Sequence, residues 1–165
     1  MAITAETRTD IIELVVASLN RAPGTTLLSE LAALSLGGAS LTDIAEHLTA
    51  SAEYLAIYPN TQTSGEFADE FLGNLVPEAS SALLAEGKAI IEGRLNSGSS
   101  QAEVIAEAIA YLSSAAATTA APESAANFTN KVAVATYHTV TLEKDTGQDT
   151  ALSTVTSDTA TVDAA

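Results

Sequence analysis

One histidine in this chain lies among carboxylates at a spacing that could bind a metal ion. His47 directly follows Glu46 and comes four residues after Asp43, so on a helix these side chains would lie near one another, and imidazole with carboxylates can ligate divalent cations. The apolar residues Ile44 and Leu48 would point to the opposite side. That division is typical of a solvent-exposed helix face, which we favour, and the sequence leaves the metal assignment unknown.

A second acidic cluster has the spacing of carboxylates along one edge of a helix. Glu66, Asp69 and Glu70 occupy positions i, i+3 and i+4, an arrangement that suits calcium or a contact between subunits. Acidic side chains in the first turn of a helix also interact favourably with the helix dipole. We favour that structural role, so no cofactor is assigned with certainty, and calcium stays an open alternative without a defined site.

The tyrosines are the residues that could recognise a carbohydrate, because a flat aromatic ring with a polar tip can pack on a sugar and also form hydrogen bonds. The candidate glycan-binding residues are Tyr54, Tyr58, Asn60, Tyr111 and Tyr137. Tyr54 and Tyr58 lie one helical turn apart and could form a platform. The alternative, which we favour, is that this pair packs the end of one helical unit against its neighbour.

The composition argues against several other functions. The chain has no cysteine, which removes disulfides, thiol catalysis and cysteine-ligated zinc, and neither His47 nor His138 belongs to a recognisable Ser/His/Asp arrangement. Six Lys and Arg against 21 Asp and Glu give a formal charge of -15, which argues against a nucleic acid partner. No run approaches the roughly 18 apolar residues of a transmembrane helix. We therefore predict a non-catalytic protein with neither a nucleic acid partner nor a transmembrane segment.

The elements that must position these residues are short amphipathic helices. Apolar residues at i, i+1, i+4, i+5 and i+8 predict a helix over residues 11–19, and the same spacing recurs over 104–112. Aromatic residues make up only 4% of the chain, so we expect small aliphatic side chains to bring the helices close together. Caps, prolines and glycines predict the other helices at about residues 27–36, 40–55, 67–75 and 78–95.

These helices form an internal repeat. Pro23 in the first copy matches Pro77 in the second, an offset of 54 residues, and Gly38 matches Gly98, an offset of 60. The second copy therefore has about six more residues in its middle helix. In each copy a serine two residues after the matched glycine begins a helix, and an acidic residue follows three positions later, which is the spacing of a capping box.

The segment after the second copy is less regular. Residues 115–126 are rich in Ala, Thr and Pro and predict a low-complexity spacer. Apolar residues then alternate over 127–142 as they would in a strand, whereas Phe128, Val132 and Ala135 would also share one face of a helix. Both alternatives remain open, and we favour the helix.

The last residues are polar. From Glu143 onward the chain is rich in Thr, Ser and Asp with few apolar residues, which predicts a tail or a linker to a further domain over residues 143–165. The predicted fold is thus all-α, a short-helix bundle of two and a half repeated units with an extended C-terminal tail. The helical domain would cover residues 1–142, with units at about 8–59 and 64–114 and a partial unit at 123–142.

Several of these residues in combination resemble a repeat of bacterial secreted proteins. The resemblance covers about residues 8 to 142 and rests on Arg21-Ala22-Pro23, on the run from Gly38 to Ala45, and on Ser51-Ala52-Glu53-Tyr54 ending at Tyr58. The typical unit has Gly-Arg-x-Pro, Gly-x-Ser, Ile-Ala and Ser-x-Glu-Phe or Tyr. The second copy lacks the last of these motifs, and neither copy has the family's central tryptophan.

A third segment extends the resemblance. Residues 128–137 resemble the start of a further unit in the N-terminal helical domains of RTX-type surface-layer proteins. The resemblance implies that such a domain anchors a lattice to lipopolysaccharide O-polysaccharide, while a calcium-binding RTX portion, expected beyond residue 165, assembles the layer and carries a type I secretion signal. That route would explain the lack of an ordinary signal peptide, since Glu6, Asp10 and Glu13 interrupt the N-terminal apolar run.

The expected function is therefore structural. The resemblance implies an extracellular surface-layer domain whose partners are copies of itself, in a homo-oligomeric lattice, and the cell-surface polysaccharide. The alternative is a self-assembling subunit of an extracellular filament or sheath that binds no glycan.

Overall fold

Eleven α-helices and one π-helical turn account for the regular structure of residues 3–164, which are the residues that this computed structural model describes. No strand occurs in this range, so the predicted all-α class is confirmed. The helices are α1 (Ala5–Leu19), α2 (Gly24–Leu36), α3 (Leu41–Thr49), α4 (Ala52–Ile57), α5 (Ser64–Leu75), α6 (Ser81–Asn96), α7 (Gln101–Leu112), α8 (Ala115–Ala120), α9 (Pro122–Thr136), the π-helix (Tyr137–Thr141), α10 (Gln148–Ala151) and α11 (Ala160–Ala164).

Helices α1–α4 and α5–α8 have matching local features, and we call them unit 1 and unit 2. Gly38 and Gly98 both have positive φ angles, of 98° and 99°, in the turn before the third helix of each unit. Both predicted capping boxes are present: the serine hydroxyl accepts a hydrogen bond from the third residue of the helix, whose carboxylate accepts one from the serine N–H. The pairs are Ser40 with Asp43, and Ser100 with Glu103.

The fourth helix of each unit is where the sequence prediction was incomplete. The single helix expected over residues 40–55 ends at Thr49, and Ser51 caps a separate α4. Ser114 caps α8 in the same way, so the spacer predicted for residues 115–126 is wrong. Alanine and threonine in α8 give no apolar periodicity, yet α8, like α4, has six residues.

Helix α1 lies at the centre of the bundle. It packs against α2, α3, α4, α5, α7 and α9, and Ile11, Ile12, Val15 and Val16 are each at most 2% exposed. Both residues of each apolar pair are buried because neighbours surround α1 on most sides.

The favoured helical alternative for residues 127–142 is confirmed, since residues 127–141 lie in α9 and the π-helix and Leu142 is the C-cap. Helix α9 packs along α1 and α8. After the π-helix, Glu143 and Gly147 have φ angles of 50° and 77°, close to the 50° and 71° of Asn20 and Gly24 between α1 and α2. The turn after the π-helix therefore has backbone angles similar to those of the turn that follows the first helix of unit 1.

The extended tail predicted for residues 143–165 is wrong over the residues that the structure describes. Leu152 and Val155 are 3% and 5% exposed, and α10 and α11 pack against α9. The side chain of Asn130 donates to the carbonyl of Thr156 at 2.8 Å. Leu152, Val155 and Val162 are too scattered in this polar segment to give a readable period, and the burial of the first two comes from the packing of the segment against α9.

Candidate functional site

The tyrosine platform, the alternative that we did not favour for Tyr54 and Tyr58, is absent, because both side chains belong to the core. They are 0% and 1% exposed, and their ring centroids lie 4.8 Å apart. The ring of Tyr58 also meets Phe67 edge-on at a centroid distance of 5.3 Å. A sugar has no access to these rings, and the favoured packing of one helical unit on the next is what the structure contains.

The hydroxyls of these two tyrosines have specific partners. Tyr54 donates to the side-chain oxygen of Gln101 at 2.9 Å, and Tyr58 accepts from the side-chain amide of Asn74 at 3.1 Å. Burial raises the pKa of both phenols, that of Tyr58 to about 12. Both groups therefore stay neutral at physiological pH and join unit 1 to unit 2.

The three other glycan candidates are accessible but lie on different elements. Tyr111 near the end of α7 is 43% exposed and Tyr137 at the start of the π-helix is 56% exposed. Asn60, after α4, is also exposed. Their role in glycan binding stays a prediction.

The acidic cluster of α5 is divided among separate partners. Glu66 forms a third capping box with Thr63, which lowers the pKa of its carboxyl because the carboxylate accepts two hydrogen bonds. Asp69 pairs with Lys88 at 2.5 Å, and Glu70 accepts from Gln62 at 2.7 Å.

The histidines have separate surroundings. The Nε2 atom of His47 lies 3.7 Å from the carboxylate of Glu30 on α2, while Asp43 forms the capping box of α3. His138 is 8% exposed and its Nε2 atom lies 3.1 Å from the carbonyl of Thr146. Within residues 3–164 no three His, Asp or Glu side chains are grouped to hold a metal ion.

A groove with a mostly apolar lining and a volume of about 370 Å³ lies in unit 2, and we call it the unit-2 groove. Leu72 of α5, Val104 and Ala108 of α7 and Ala121 after α8 line it. Ile90 of α6 also lines it and is 59% exposed. Exposed apolar surface that is also concave is typical of a site that binds a partner or ligand.

The edge of the unit-2 groove carries charge. Arg94 of α6 makes a two-pronged ion pair with Glu107 of α7, in which Nε lies 2.9 Å from the carboxylate. Glu86 and the exposed ring of Tyr111 also border the groove. The groove therefore combines an apolar floor with a polar rim.

Unit 1 has a groove at the equivalent position, and its chemistry is different. The offset of 60 residues places Leu27 at Gly87, Glu30 at Ile90 and Leu48 at Ala108; the first residue of each pair lines the groove of unit 1 and the second that of unit 2. Two aliphatic side chains have become smaller in unit 2, and a carboxylate has become isoleucine. These replacements make the unit-2 groove more apolar than the groove of unit 1.

The fourth helices contribute a further difference. Ser51 and Ser114 cap α4 and α8, an offset of 63 residues, which places Tyr54 at Ala117 and Tyr58 at Ala121. All four residues are buried, but a methyl group fills far less space than a phenol ring. Ala121 accordingly lines the unit-2 groove.

The segment that follows the π-helix forms one side of the groove of unit 1. Asp145 and Gln148 line it, and a Cβ on Gly24 would approach the Asp145 carboxylate to 2.6 Å. Asp145 accepts from the backbone of Thr26 at 2.9 Å and from the hydroxyl of Thr25 at 2.6 Å. These bonds hold its pKa well below the ordinary range, at about 2.

Lysine 131 is the one buried cation among the described residues. Lys131 is 4% exposed, and its ammonium donates to the side chain of Asn20 at 2.8 Å and to the carbonyl of Asn74 at 3.0 Å. Burial lowers its pKa to about 8, although the carboxylate of Glu78 acts in the opposite direction. Lys131 thus joins the ends of α1 and α5 to α9.

No family model matches the chain, and no curated protein or solved structure is significantly similar to it. Among the described helices, none is long and apolar enough to cross a lipid bilayer.

Proposed function

We propose that this chain is the non-catalytic N-terminal anchoring domain of a secreted, RTX-type surface-layer protein, which binds lipopolysaccharide O-polysaccharide and associates with copies of itself outside the cell. The observation that carries this proposal is the repeated four-helix unit, with its glycine turn and capped third helix in both copies. The same residues carry the resemblance to surface-layer domains.

The contacts of the charged side chains support a structural role for the chain. Carboxylates cap α3, α5 and α7, and others pair with Lys88 and Arg94. These interactions fix the geometry of the units. The remaining negative charge would keep the chain soluble during export and attract divalent cations at the cell surface. Calcium would bind there without a defined site.

The exposed tyrosines support the glycan part of the proposal. Tyr111 has the Arg94–Glu107 ion pair in the same groove, so a sugar that packs on its ring would meet charged groups able to hydrogen-bond its hydroxyls. Tyr137 offers a second exposed ring. Tyr54 and Tyr58 have no part in this site.

Pull-down with lipopolysaccharide from smooth cells and from rough cells, which lack O-polysaccharide, tests the proposal. We expect the chain to bind smooth lipopolysaccharide and to lose binding on rough lipopolysaccharide. Tyr111→Ala and Tyr137→Ala should weaken binding, whereas a matched change at an exposed alanine-rich site, Thr119→Ala, should not. Equal binding to smooth and rough lipopolysaccharide contradicts the proposal.

A subunit of an extracellular filament or sheath without glycan binding is the second candidate. The burial of Tyr54 and Tyr58 favours it, since it removes the paired aromatic platform, and so does the apolar surface of the unit-2 groove. A chain that forms ordered assemblies and ignores both forms of lipopolysaccharide would support this candidate.

A further inference from the structure

The turn between α2 and α3 of unit 1 is a second exposed apolar feature, which we call the apolar turn (Leu36–Leu41). Leu36 is 50% exposed and Leu41 is 41% exposed. A Cβ on Gly38, at the tip, would have no atom within 4 Å. The two leucines therefore flank a projecting glycine turn and form a convex apolar surface.

The turn is apolar in unit 1 alone. At the offset of 60 residues, Leu36 corresponds to Asn96 and Leu41 to Gln101 in unit 2. The two turns share the same glycine conformation, so the backbone does not require leucine at either position. Exposed leucines that the fold does not need indicate a contact with another surface.

Of the two equivalent grooves, only that of unit 2 is apolar. Ile90, which is 59% exposed in the unit-2 groove, corresponds to Glu30 of unit 1. In unit 1 the segment around Asp145 adds polar side chains to the lining of the groove. Each chain therefore offers one apolar turn, in unit 1, and one apolar groove, in unit 2.

Charge favours the pairing of these two features. The chain carries a formal charge of -15, so two copies repel each other over most of their surfaces. Residues 31–42 include no charged side chain. An uncharged turn can therefore approach the groove, whose floor is apolar, without placing further like charges together.

We propose that the apolar turn of one copy docks in the unit-2 groove of the next copy. Because the turn and the groove are different surfaces, the contact is heterologous and joins copies head to tail, as rings or open chains. This inference deepens the self-association in the proposed function and rests on it, but it does not depend on glycan binding.

Sedimentation velocity of the full chain over a concentration series tests the contact. The turn variant is Leu36→Asn with Leu41→Gln, and the groove variants are Ile90→Glu and, as a milder change, Ile90→Ser. Asparagine, glutamine and glutamate occur at the equivalent positions of the other unit, and all three sites are at least 41% exposed, so the fold should be retained, as circular dichroism can verify. The control is Leu142→Gln, at an exposed leucine outside both surfaces.

We expect the wild type and the control to form oligomers that grow with concentration, and each variant to associate roughly tenfold more weakly or worse. An equimolar mixture of turn and groove variants should form dimers and nothing larger, because it contains one intact turn–groove pair. This result is specific to a head-to-tail contact.

Three outcomes would overturn the inference: a wild type that stays monomeric, variants that associate as the wild type does, or a mixture that stays monomeric. Uptake of an apolar dye by a monomeric wild type, lost in Ile90→Glu, would assign the groove to a small apolar ligand instead. Lipopolysaccharide binding by the wild type and by the turn variant, whose substitutions lie outside the groove that contains Tyr111, separates the two proposals. A wild type that associates but does not bind lipopolysaccharide removes glycan anchoring alone. A wild type that binds lipopolysaccharide but does not associate removes the head-to-tail contact alone.

Discussion

The hydroxyl of Tyr54 in unit 1 donates a hydrogen bond of 2.9 Å to the side chain of Gln101, the first residue of the third helix of unit 2. Helices α3 and α7 pack together, so this bond lies where the two units meet. Tyr54, whose aromatic ring and hydroxyl could in principle recognise a sugar, is thus part of the interface between unit 1 and unit 2.

Replacing Tyr54 should therefore affect stability and leave lipopolysaccharide binding unchanged. Tyr54→Phe removes one hydrogen bond and should lower the free energy of unfolding by about 1 kcal/mol, while Tyr54→Ala should lower it by about 3–5 kcal/mol through the cavity left behind. Urea unfolding measures both values. A Tyr54→Phe chain that is as stable as the wild type but fails to bind lipopolysaccharide would return this tyrosine to the binding site.

Lys131 makes the stability of the chain depend on pH in the alkaline range. Its pKa is lowered from 10.5 to about 8 in the folded chain, so between these values the unfolded chain binds more protons. The free energy of unfolding should then rise with pH, by about 1 kcal/mol per unit between about pH 8 and 9.5, and should show no such slope below about pH 7. Urea unfolding across this range provides the test.

Lys131→Met should abolish the slope, whereas Lys144→Met, which removes an exposed lysine, should keep it. The series ends near pH 10 because Tyr54 and Tyr58, whose pKa values are raised by burial, destabilise the fold once the unfolded chain ionises there. A wild type whose stability is flat from neutral pH to about pH 9.5 would mean that Lys131 is hydrated.

Asp145 should contribute stability that is lost in acid. Its pKa is lowered from 3.8 to about 2 by the bonds from Thr25 and Thr26, so its contribution is complete above about pH 4 and disappears as the pH falls towards about 2. Asp145→Ala should lower the Tm by a few degrees at neutral pH and by less near pH 2. Asp163→Ala, in the same segment, is the control, and a Tm difference that does not depend on pH would refute this assignment.

The C-terminal segment should be part of the folding unit. Leu152→Ala should lower the free energy of unfolding by roughly 2–5 kcal/mol, because its side chain is buried against the helices. Thr154→Ala, two residues further along and exposed, should change it by less than about 0.5 kcal/mol. If limited proteolysis removes residues 143–165 without lowering the Tm, the segment is a tail after all.

The sequence predicted what local chemistry determines. Ser40 with Asp43, and Ser100 with Glu103, define helix starts through bonds within four residues, and the prolines and glycines mark the turns between them. The all-α class and the repeat follow from these local signals, and the favoured helix over residues 127–142 follows from the shared face of Phe128 and Val132.

The incorrect sequence predictions concern residues whose burial is decided by tertiary contacts. Tyr54 and Tyr58 share a helix face, but periodicity cannot tell whether that face meets solvent or the aromatic rings of α5. Leu152 and Val155 are too few to form a readable pattern and are buried only because α9 lies beside them. The unit-2 groove was missed because it arises from small differences between equivalent residues, such as Gly87 for Leu27, whose significance depends on the superposition of the units.

The central claim, that the chain binds O-polysaccharide, is tested most directly by isothermal titration calorimetry, in which isolated O-polysaccharide is titrated into the purified chain. The account predicts saturable binding by the wild type and by Tyr54→Phe, with binding weakened in a Tyr111→Ala/Tyr137→Ala chain of unchanged circular dichroism. No heat of binding for the wild type at any polysaccharide concentration, in the presence of calcium, would contradict anchoring through polysaccharide and leave the filament subunit as the function.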